Sequence, residues 1–127
     1  MKRLVSLLMA ALLLLSGCSS GTSEISYREI TQEEAKVMMD GGDVIILDVR
    51  EQHEFDEGHI PEALLLPVGT ITAQTAAEVI PAKDAVVLVY CRSGNRSKQA
   101  SRALAELGYT NVYEFGGINT WPYEIEQ

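Results

Sequence analysis

Two continuous apolar runs constrain the fold of this chain more than any other feature. They are Val44-Ile45-Ile46-Leu47 and Ala85-Val86-Val87-Leu88-Val89-Tyr90, and neither alternates with polar residues. A strand that is apolar on both faces is typical of a parallel sheet covered by helices on each side. The runs therefore predict an α/β fold in which both are central strands.

Weaker patterns around these runs fit the same fold. The other strand candidates are residues 27–30, 63–66 and 112–115. The helix candidates are residues 31–40, 73–79 and 97–107. The first helix opens on a capping box, in which Thr31 is followed three residues later by Glu34, and Gly108 is the predicted stop of the last helix. Strands that alternate with helices indicate a mostly parallel sheet with helices on both faces.

The N-terminal segment has the pattern of an export signal rather than of the folded domain. Lys2 and Arg3 precede an apolar stretch from Leu4 to Leu15, interrupted by one polar residue, Ser6. This stretch is too short for a membrane span, which needs roughly 20 residues, and suits the apolar region of a signal peptide. We therefore interpret residues 1–17 as a signal peptide.

A cysteine follows this segment directly. Leu15-Ser16-Gly17-Cys18 resembles the lipobox of bacterial lipoproteins, in which cleavage leaves a lipidated cysteine as the first residue. An ordinary secretory signal with an incidental cysteine is the alternative. The lipobox predicts lipidation of Cys18, a flexible tether over residues 18–26 and a domain over residues 27–127. It also predicts an extracytoplasmic protein that is lipid-anchored to a bacterial membrane.

The charge balance limits the possible partners. Residues 1–17 hold two basic and no acidic side chains, so the predicted mature chain has 8 Lys+Arg, 18 Asp+Glu and a formal charge of −10. Such a surface repels phosphate backbones, which argues against nucleic-acid binding. The remaining length suits one domain with one core, and we expect a monomer.

Cys91 is the residue that most strongly indicates chemistry. It follows the second apolar run, and Arg92-Ser93-Gly94-Asn95-Arg96-Ser97 connects it to the next predicted helix. Ligands of parallel sheets bind beyond the carboxyl ends of the strands, and the backbone N–H groups of a tight turn there favour an anion. Arginines and a helix N-terminus lower the pKa of a cysteine thiol. The sequence therefore predicts a reactive Cys91 thiolate.

Other polar residues have structural as well as functional interpretations. Arg50, at the end of the first apolar run, either pairs with Asp48 or Glu54 or faces the pocket. His59 is expected to be a hydrogen-bonded structural residue, because a thiolate nucleophile needs no general base. His53 is expected on the surface. No His/Cys cluster has metal-ligand spacing, so neither a metal nor another cofactor is predicted.

Three motifs together resemble the rhodanese family of sulfurtransferases. They are the Cys91 loop, the segment Leu47-Asp48-Val49-Arg50-Glu51 with Glu54 and Gly58-His59-Ile60-Pro61, and Gly116-Gly117 with Trp121. The resemblance covers residues 27–121 and implies a rhodanese-like fold with about five mostly parallel strands. Glu62 departs from the family pattern, because glycine is common at that place. Leu65 also departs from it, at a place where a small or polar residue is usual.

The resemblance implies sulfur transfer in two steps. Cys91 would take the outer sulfur of a small anionic donor such as thiosulfate and pass it from a persulfide to a thiol or cyanide. The residues implied in donor binding are Arg92, Ser93, Gly94, Asn95, Arg96, Ser97 and Arg50. Arg92 and Arg96 would steer the anion, and Gly94 would allow the tight turn. Ser97 would either cap the helix or donate to the anion.

Two other functions remain open on this motif. Cysteine phosphatases and arsenate reductases also use a thiolate in a loop that ends in arginine, but the phosphatase loop is one residue longer than the interval between Cys91 and Arg96. A persulfide-relay or redox-sensing module that acts with a protein partner would carry the same motif.

Overall fold

A computed structural model describes residues 26–127. The strands are β1 (Arg28–Glu29), β2 (Val44–Asp48), β3 (Leu64–Leu65), β4 (Val86–Cys91) and β5 (Asn111–Gly117). The α-helices are α1 (Gln32–Gly41), α2 (Gln52–Glu57), α3 (Ala73–Val79) and α4 (Asn95–Glu106), and short 3-10 turns cover Val68–Thr70 and Ile118–Thr120. The predicted signal peptide, Cys18 and most of the predicted tether lie outside the described residues.

The five strands form one parallel sheet in the order β1-β5-β4-β2-β3. The two apolar runs are β2 and β4, neighbours in the interior of the sheet, as predicted. Because all strands point the same way, Asp48, Cys91 and Gly117 end their strands at one edge. The predicted fold class is confirmed.

Side chains of the central strands alternate between two apolar layers. Val87 and Val89 pack in the layer that contains residues of α3 and α4, whereas Leu88 and Tyr90 pack in the layer that contains residues of α1 and α2. Successive residues of a strand point to opposite faces, so Cys91 lies on the α4 side with Val87 and Val89. The helices cover both faces of the sheet. The alternation of side chains along β4 places Cys91 on the face that α4 covers, close to the start of that helix.

Several element boundaries differ from the sequence-based predictions. Helix α4 begins at Asn95 rather than at residue 97, because Gly94 takes a left-handed conformation with φ of 111° and turns the chain at once. Strand β5 continues past residue 115 because Gly117 pairs with Cys91. Helix α2 was not predicted, since Phe55 is its single apolar residue and gives no helical periodicity.

Glu62 occupies a backbone conformation that suits glycine. Its φ is 70°, in the left-handed region, which costs an ordinary residue about 1–2 kcal/mol. Its side chain is exposed, so replacement removes little packing. We expect Glu62→Gly to raise the free energy of unfolding by about 0.5–1 kcal/mol, measured by urea titration, because part of this gain is offset by added freedom in the unfolded chain. Glu62→Ala keeps the strain and serves as the control; an equal gain in both variants would contradict this explanation.

None of the helices formed by residues 26–127 has the length and apolar character needed to cross a membrane.

Candidate active site

Three residues, Arg92, Ser93 and Gly94, separate the end of β4 at Cys91 from the start of α4. A connection this short turns the chain back over the cysteine side chain. The loop backbone therefore faces the sulfur, and the N-terminus of a 12-residue helix, whose amides favour negative charge, lies beside it.

The sulfur of Cys91 is buried and hydrogen-bonded. The Gly94 N–H donates to Sγ over 3.0 Å, and the thiol donates to Ser97 Oγ over 3.3 Å. Cys91 is 1% exposed, and it is the free cysteine of the described residues. We refer to the solvent-exposed side of this loop, at Arg92, Ser93 and Asn95, as its mouth.

The surroundings favour the ionised form of this thiol. Burial raises the pKa of Cys91, but the hydrogen bond with the Ser97 side chain and those from the backbone N–H groups of Ser97, Gly94 and Ser93 lower it. The lowering prevails, so the pKa lies below its ordinary value. A lower pKa increases the thiolate fraction near neutral pH, which is the form that attacks sulfur.

The end of β5 fixes the loop from behind. The Asn119 N–H donates to the Arg92 carbonyl over 3.1 Å. Gly117 has extended backbone geometry, with φ of −132°, which any residue can adopt. The backbone conformation therefore does not require a glycine at this position. A Cβ at Gly117 would instead lie 2.0 Å from the Arg92 carbonyl oxygen and 2.6 Å from Ser93 Cα. The loop rests where a side chain would otherwise be.

An ion pair ties the loop's second arginine to α2. Arg96 donates from both terminal nitrogens to the Glu54 carboxylate, over 2.7 and 2.9 Å. These hydrogen bonds hold the pKa of Glu54 at about 2, against an ordinary value of 4.5. Glu54 was one of two candidate partners for Arg50; Arg50 pairs with the other, Asp48, and Glu54 pairs with Arg96. The two residues are 42 positions apart, and the sequence contained no signal for this contact.

This ion pair predicts a pH dependence of stability. Because the folded-state pKa of Glu54 is depressed, its contribution is present above about pH 4.5 and is lost as the pH falls towards about 2. We expect the wild type to be more stable than Glu54→Gln at pH 6, with thermal midpoints that converge near pH 2. The exposed Glu57 of the same helix gives the matched control Glu57→Gln. A constant difference between wild type and Glu54→Gln across this range would contradict the assignment.

Arg50 belongs to a buried hydrogen-bond network and is not among the residues that contact the Cys91 sulfur. Its guanidinium donates to the Asp48 carboxylate over 2.7–3.1 Å and to the Gly58 carbonyl over 2.7 Å. The Tyr90 hydroxyl donates to the same carboxylate over 2.6 Å and accepts the Ile60 N–H over 3.0 Å. Donor binding by Arg50 stays a prediction that this geometry disfavours. The part of Tyr90 in the network was not predicted.

The two histidines take structural or surface positions. His59 stacks on Phe55 with ring centroids 3.8 Å apart, and its Nδ1 lies 2.9 Å from the Phe55 carbonyl oxygen. His53 is exposed. Within residues 26–127, no group of His, Cys, Asp and Glu side chains has the arrangement of a metal site.

Ser97 and Glu114 form the least expected part of the site. Gly94 is the N-cap of α4, so the interpretation of Ser97 as the helix cap is wrong. Ser97 lies inside the helix, and its hydroxyl donates to Glu114 Oε1 over 2.6 Å beneath the loop. Glu114 was not predicted as a site residue, although an acidic side chain inside an apolar strand before Gly116-Gly117 was an available signal.

The remaining loop residues that were predicted to bind a donor differ in their exposure to solvent. Arg92, Ser93 and Asn95 are exposed around the mouth of the loop, whereas Gly94 is buried beneath it. Their part in binding a donor stays a prediction.

The described residues combine a parallel α/β sheet with a buried cysteine in a strand-to-helix loop. This is the combination of fold and site that the resemblance to rhodaneses implied. The model of the rhodanese-like domain matches residues 31–123. The chain belongs to the rhodanese-like domain family.

Named relatives and solved structures agree with this assignment. A sulfurtransferase of Allochromatium vinosum is 40% identical over 100 residues, which cover 78% of this chain and 87% of the relative. A thiosulfate sulfurtransferase of Coxiella burnetii is 36% identical over 96 residues, covering 75% and 87%. The structure of a rhodanese with anions from E. coli superposes with a TM-score of 0.61 at 30% identity, covering 65% of this chain and 96% of that one.

Proposed function

We propose that this protein, like the relatives named as sulfurtransferases, transfers sulfane sulfur from thiosulfate or a similar donor to a thiol or cyanide through a persulfide on Cys91. The observation that carries the proposal is the hydrogen-bonded sulfur of Cys91 inside a loop of backbone N–H donors. The family membership and the activities of its relatives support the same chemistry.

In the first step, the Cys91 thiolate attacks the outer sulfur of thiosulfate. A bond forms between Sγ and that sulfur, the S–S bond of thiosulfate breaks, and sulfite leaves with the electron pair. The negative charge of the new persulfide lies on its outer sulfur, where the loop N–H groups favour an anion. This is covalent catalysis, which divides the transfer into two easier reactions.

In the second step, a thiolate or cyanide attacks the outer sulfur. The bond from Sγ to the outer sulfur breaks, its electron pair returns to Cys91, and the thiolate is regenerated. No redox cofactor is needed, because sulfur moves between nucleophiles. The small acceptor reaches the same mouth as the donor, which fits a two-step mechanism with one site.

Exposed positive charge at this mouth suits an anionic donor. Arg92 is exposed next to the cysteine, and the part-buried Arg96 is oriented by Glu54. In a protein with net negative charge, a local cluster of cations draws anions towards the loop. Arg96 serves mainly as an oriented charge, since both of its terminal nitrogens already donate to Glu54.

Steady-state kinetics would test whether the protein transfers sulfur or hydrolyses phosphate esters. We expect thiosulfate-dependent formation of thiocyanate from cyanide and no turnover of aryl phosphates, because only four residues separate Cys91 from Arg96. Cys91→Ala should remove the transfer. Phosphatase turnover that depends on Cys91 and exceeds sulfur transfer would overturn the proposal. Transfer only in the presence of a protein acceptor would favour the relay function.

We also propose that the protein is exported and lipid-anchored through Cys18, which rests on the Leu15-Ser16-Gly17-Cys18 motif alone. In a bacterial host, the wild type should be found in the membrane fraction with a lipidated N-terminus. Cys18→Ala should lose the lipid and leave that fraction or remain unprocessed. A soluble, unlipidated wild type would overturn this localisation.

A further inference from the structure

A buried carboxylate lies beneath the Cys91 loop and has no part in the two steps described above. Glu114 is 3% exposed on β5, the strand beside β4. Its Oε1 accepts the Gly116 N–H over 2.7 Å and the Ser97 hydroxyl over 2.6 Å. Two donors that converge on one oxygen suit the ionised carboxylate, so a second anion lies one hydroxyl group away from the nucleophile.

The Ser97 hydroxyl has one proton and several acceptors around it. Glu114 Oε1 lies at 2.6 Å, the Gly94 carbonyl at 2.9 Å and Cys91 Sγ at 3.3 Å. A charged acceptor at short distance makes the strongest of these hydrogen bonds. The proton therefore points to Glu114, and Ser97 presents a lone pair to the sulfur. This arrangement suits a neutral thiol, whose S–H donates to that lone pair.

Ionisation of Cys91 changes this balance. The thiolate has lost its own proton and needs donors, which Gly94 supplies from its N–H and Ser97 can supply from its hydroxyl. If the hydroxyl turns to the sulfur, Glu114 loses one of its two donors. If the hydroxyl stays with Glu114, the thiolate faces a lone pair. The two anions therefore compete for one proton, which disfavours the bare thiolate.

The persulfide avoids this competition. Its negative charge lies on the outer sulfur, one S–S bond of about 2 Å further from Glu114. Sγ itself is then uncharged and needs no hydrogen bond from Ser97. The hydroxyl can remain with the carboxylate while the loop N–H groups face the outer sulfur. Glu114 thus penalises the thiolate more than the persulfide.

We propose that Glu114 is a positioning residue, which draws the Ser97 hydroxyl proton away from Cys91 and thereby favours the persulfide over the bare thiolate. The part about the persulfide rests on the proposed function, whereas the part about the thiol does not.

Other charged groups near this carboxylate are more exposed. Glu29 of β1 and Lys98 of α4 line the same surface cleft and pair with each other over 3.5 Å, and α1 contributes the neutral Gln32. Arg92 and Arg96 belong to the loop and the start of α4. Solvent screens the exposed Glu29 and Lys98 more than the buried Glu114, while the part-buried Arg96 interacts with the Cys91 charge from the loop side. Glu29 provides a matched control in the same cleft.

The first test measures the alkylation rate of Cys91 by iodoacetamide against pH. Glu114→Gln keeps the size of the side chain and removes its charge. We therefore expect the pH midpoint of alkylation to fall by about one pH unit, which raises the thiolate fraction about tenfold at a given pH below the midpoint. Glu29→Gln should change it by less than about a third of that. In a Ser97→Ala background, the shift caused by Glu114→Gln should shrink by more than half. An unchanged or raised midpoint in Glu114→Gln, or an equal shift without the hydroxyl, would overturn the proposal.

The second test measures the persulfide fraction by intact mass at a fixed ratio of thiosulfate to sulfite, above both midpoints. Glu114→Gln should lower the ratio of persulfide to thiolate several-fold relative to wild type and Glu29→Gln. An unchanged or increased ratio would overturn the proposal. Absence of any persulfide in the wild type would contradict the proposed function instead, and the alkylation result would still decide the role of Glu114.

If Glu114→Gln does not fold, the wild type supplies the measurement. The ¹³C carboxyl signal of Glu114 should shift at the alkylation midpoint of Cys91, because the new charge on Sγ perturbs the hydrogen bond that Ser97 makes to Glu114. Cys91→Ser should lack this inflection. A Glu114 signal that does not respond at that midpoint would overturn the proposal.

Discussion

Gly117→Ala is expected to lower sulfur transfer by at least about a hundredfold. The new Cβ would lie 2.0 Å from the Arg92 carbonyl oxygen and 2.6 Å from Ser93 Cα, both of which are backbone atoms. Backbone cannot rotate out of the way as a side chain can, so the Cys91 loop must move. A displacement of about 1 Å at a reacting group costs on the order of a hundredfold in rate. The assay is thiosulfate-dependent thiocyanate formation, and circular dichroism reports whether the fold is retained.

Gly69→Ala is the matched control for this substitution. A Cβ at Gly69 meets no atom within 4 Å, so the variant should keep both activity and fold. If Gly117→Ala stays within tenfold of the wild type, the close packing of β5 against the loop is not needed for the reaction, and this part of the account is wrong.

Asp48→Ala is expected to lower the free energy of unfolding by about 3–5 kcal/mol. Asp48 is fully buried and accepts hydrogen bonds from Arg50 and from the Tyr90 hydroxyl. Its removal leaves the Arg50 guanidinium, which is 5% exposed, without a counter-charge. Breaking one partner of a buried ion pair has a cost of this size, because the remaining charge cannot return to water. Urea titration of both proteins would measure the difference.

Asp40 provides the comparison at the surface. It pairs with Lys36 one helical turn earlier in α1, and both side chains are substantially exposed. Asp40→Ala should cost about 0.5 kcal/mol or less, since exposed ion pairs contribute little. Equal losses in the two variants would show that burial of the Asp48–Arg50 pair does not determine its contribution.

The layout of the sheet could be predicted from local patterns. Continuous apolar runs identified β2 and β4 because both faces of a central parallel strand are buried, and the capping box at Thr31 is present as predicted. Helix α2 escaped prediction because its position is determined by contacts made elsewhere, among them the pairing of Glu54 with Arg96. A short polar helix has no periodicity from which to predict it.

The same distinction holds for the site. Cys91 and its loop could be found because strand, loop and helix are consecutive in the sequence. The contact of Ser97 with Glu114 joins residues 17 positions apart, and the position of the carboxylate depends on the pairing of β4 with β5. One of the two interpretations of Ser97, as the helix cap, was wrong for a local reason, since the left-handed Gly94 begins the helix earlier. The spacing of residues in the sequence identifies the nucleophile Cys91. The residues that affect its reactivity can be identified only from the tertiary structure.

The most direct test of the account is the intact mass of the protein before and after thiosulfate and then cyanide. Thiosulfate should add about 32 mass units, one sulfur atom, and cyanide should remove it, and peptide mapping of the adduct should place it on Cys91. Cys91→Ser should fold and show no adduct. An adduct on another residue, or no adduct with any sulfane donor, would contradict a Cys91 persulfide as the centre of this protein's chemistry.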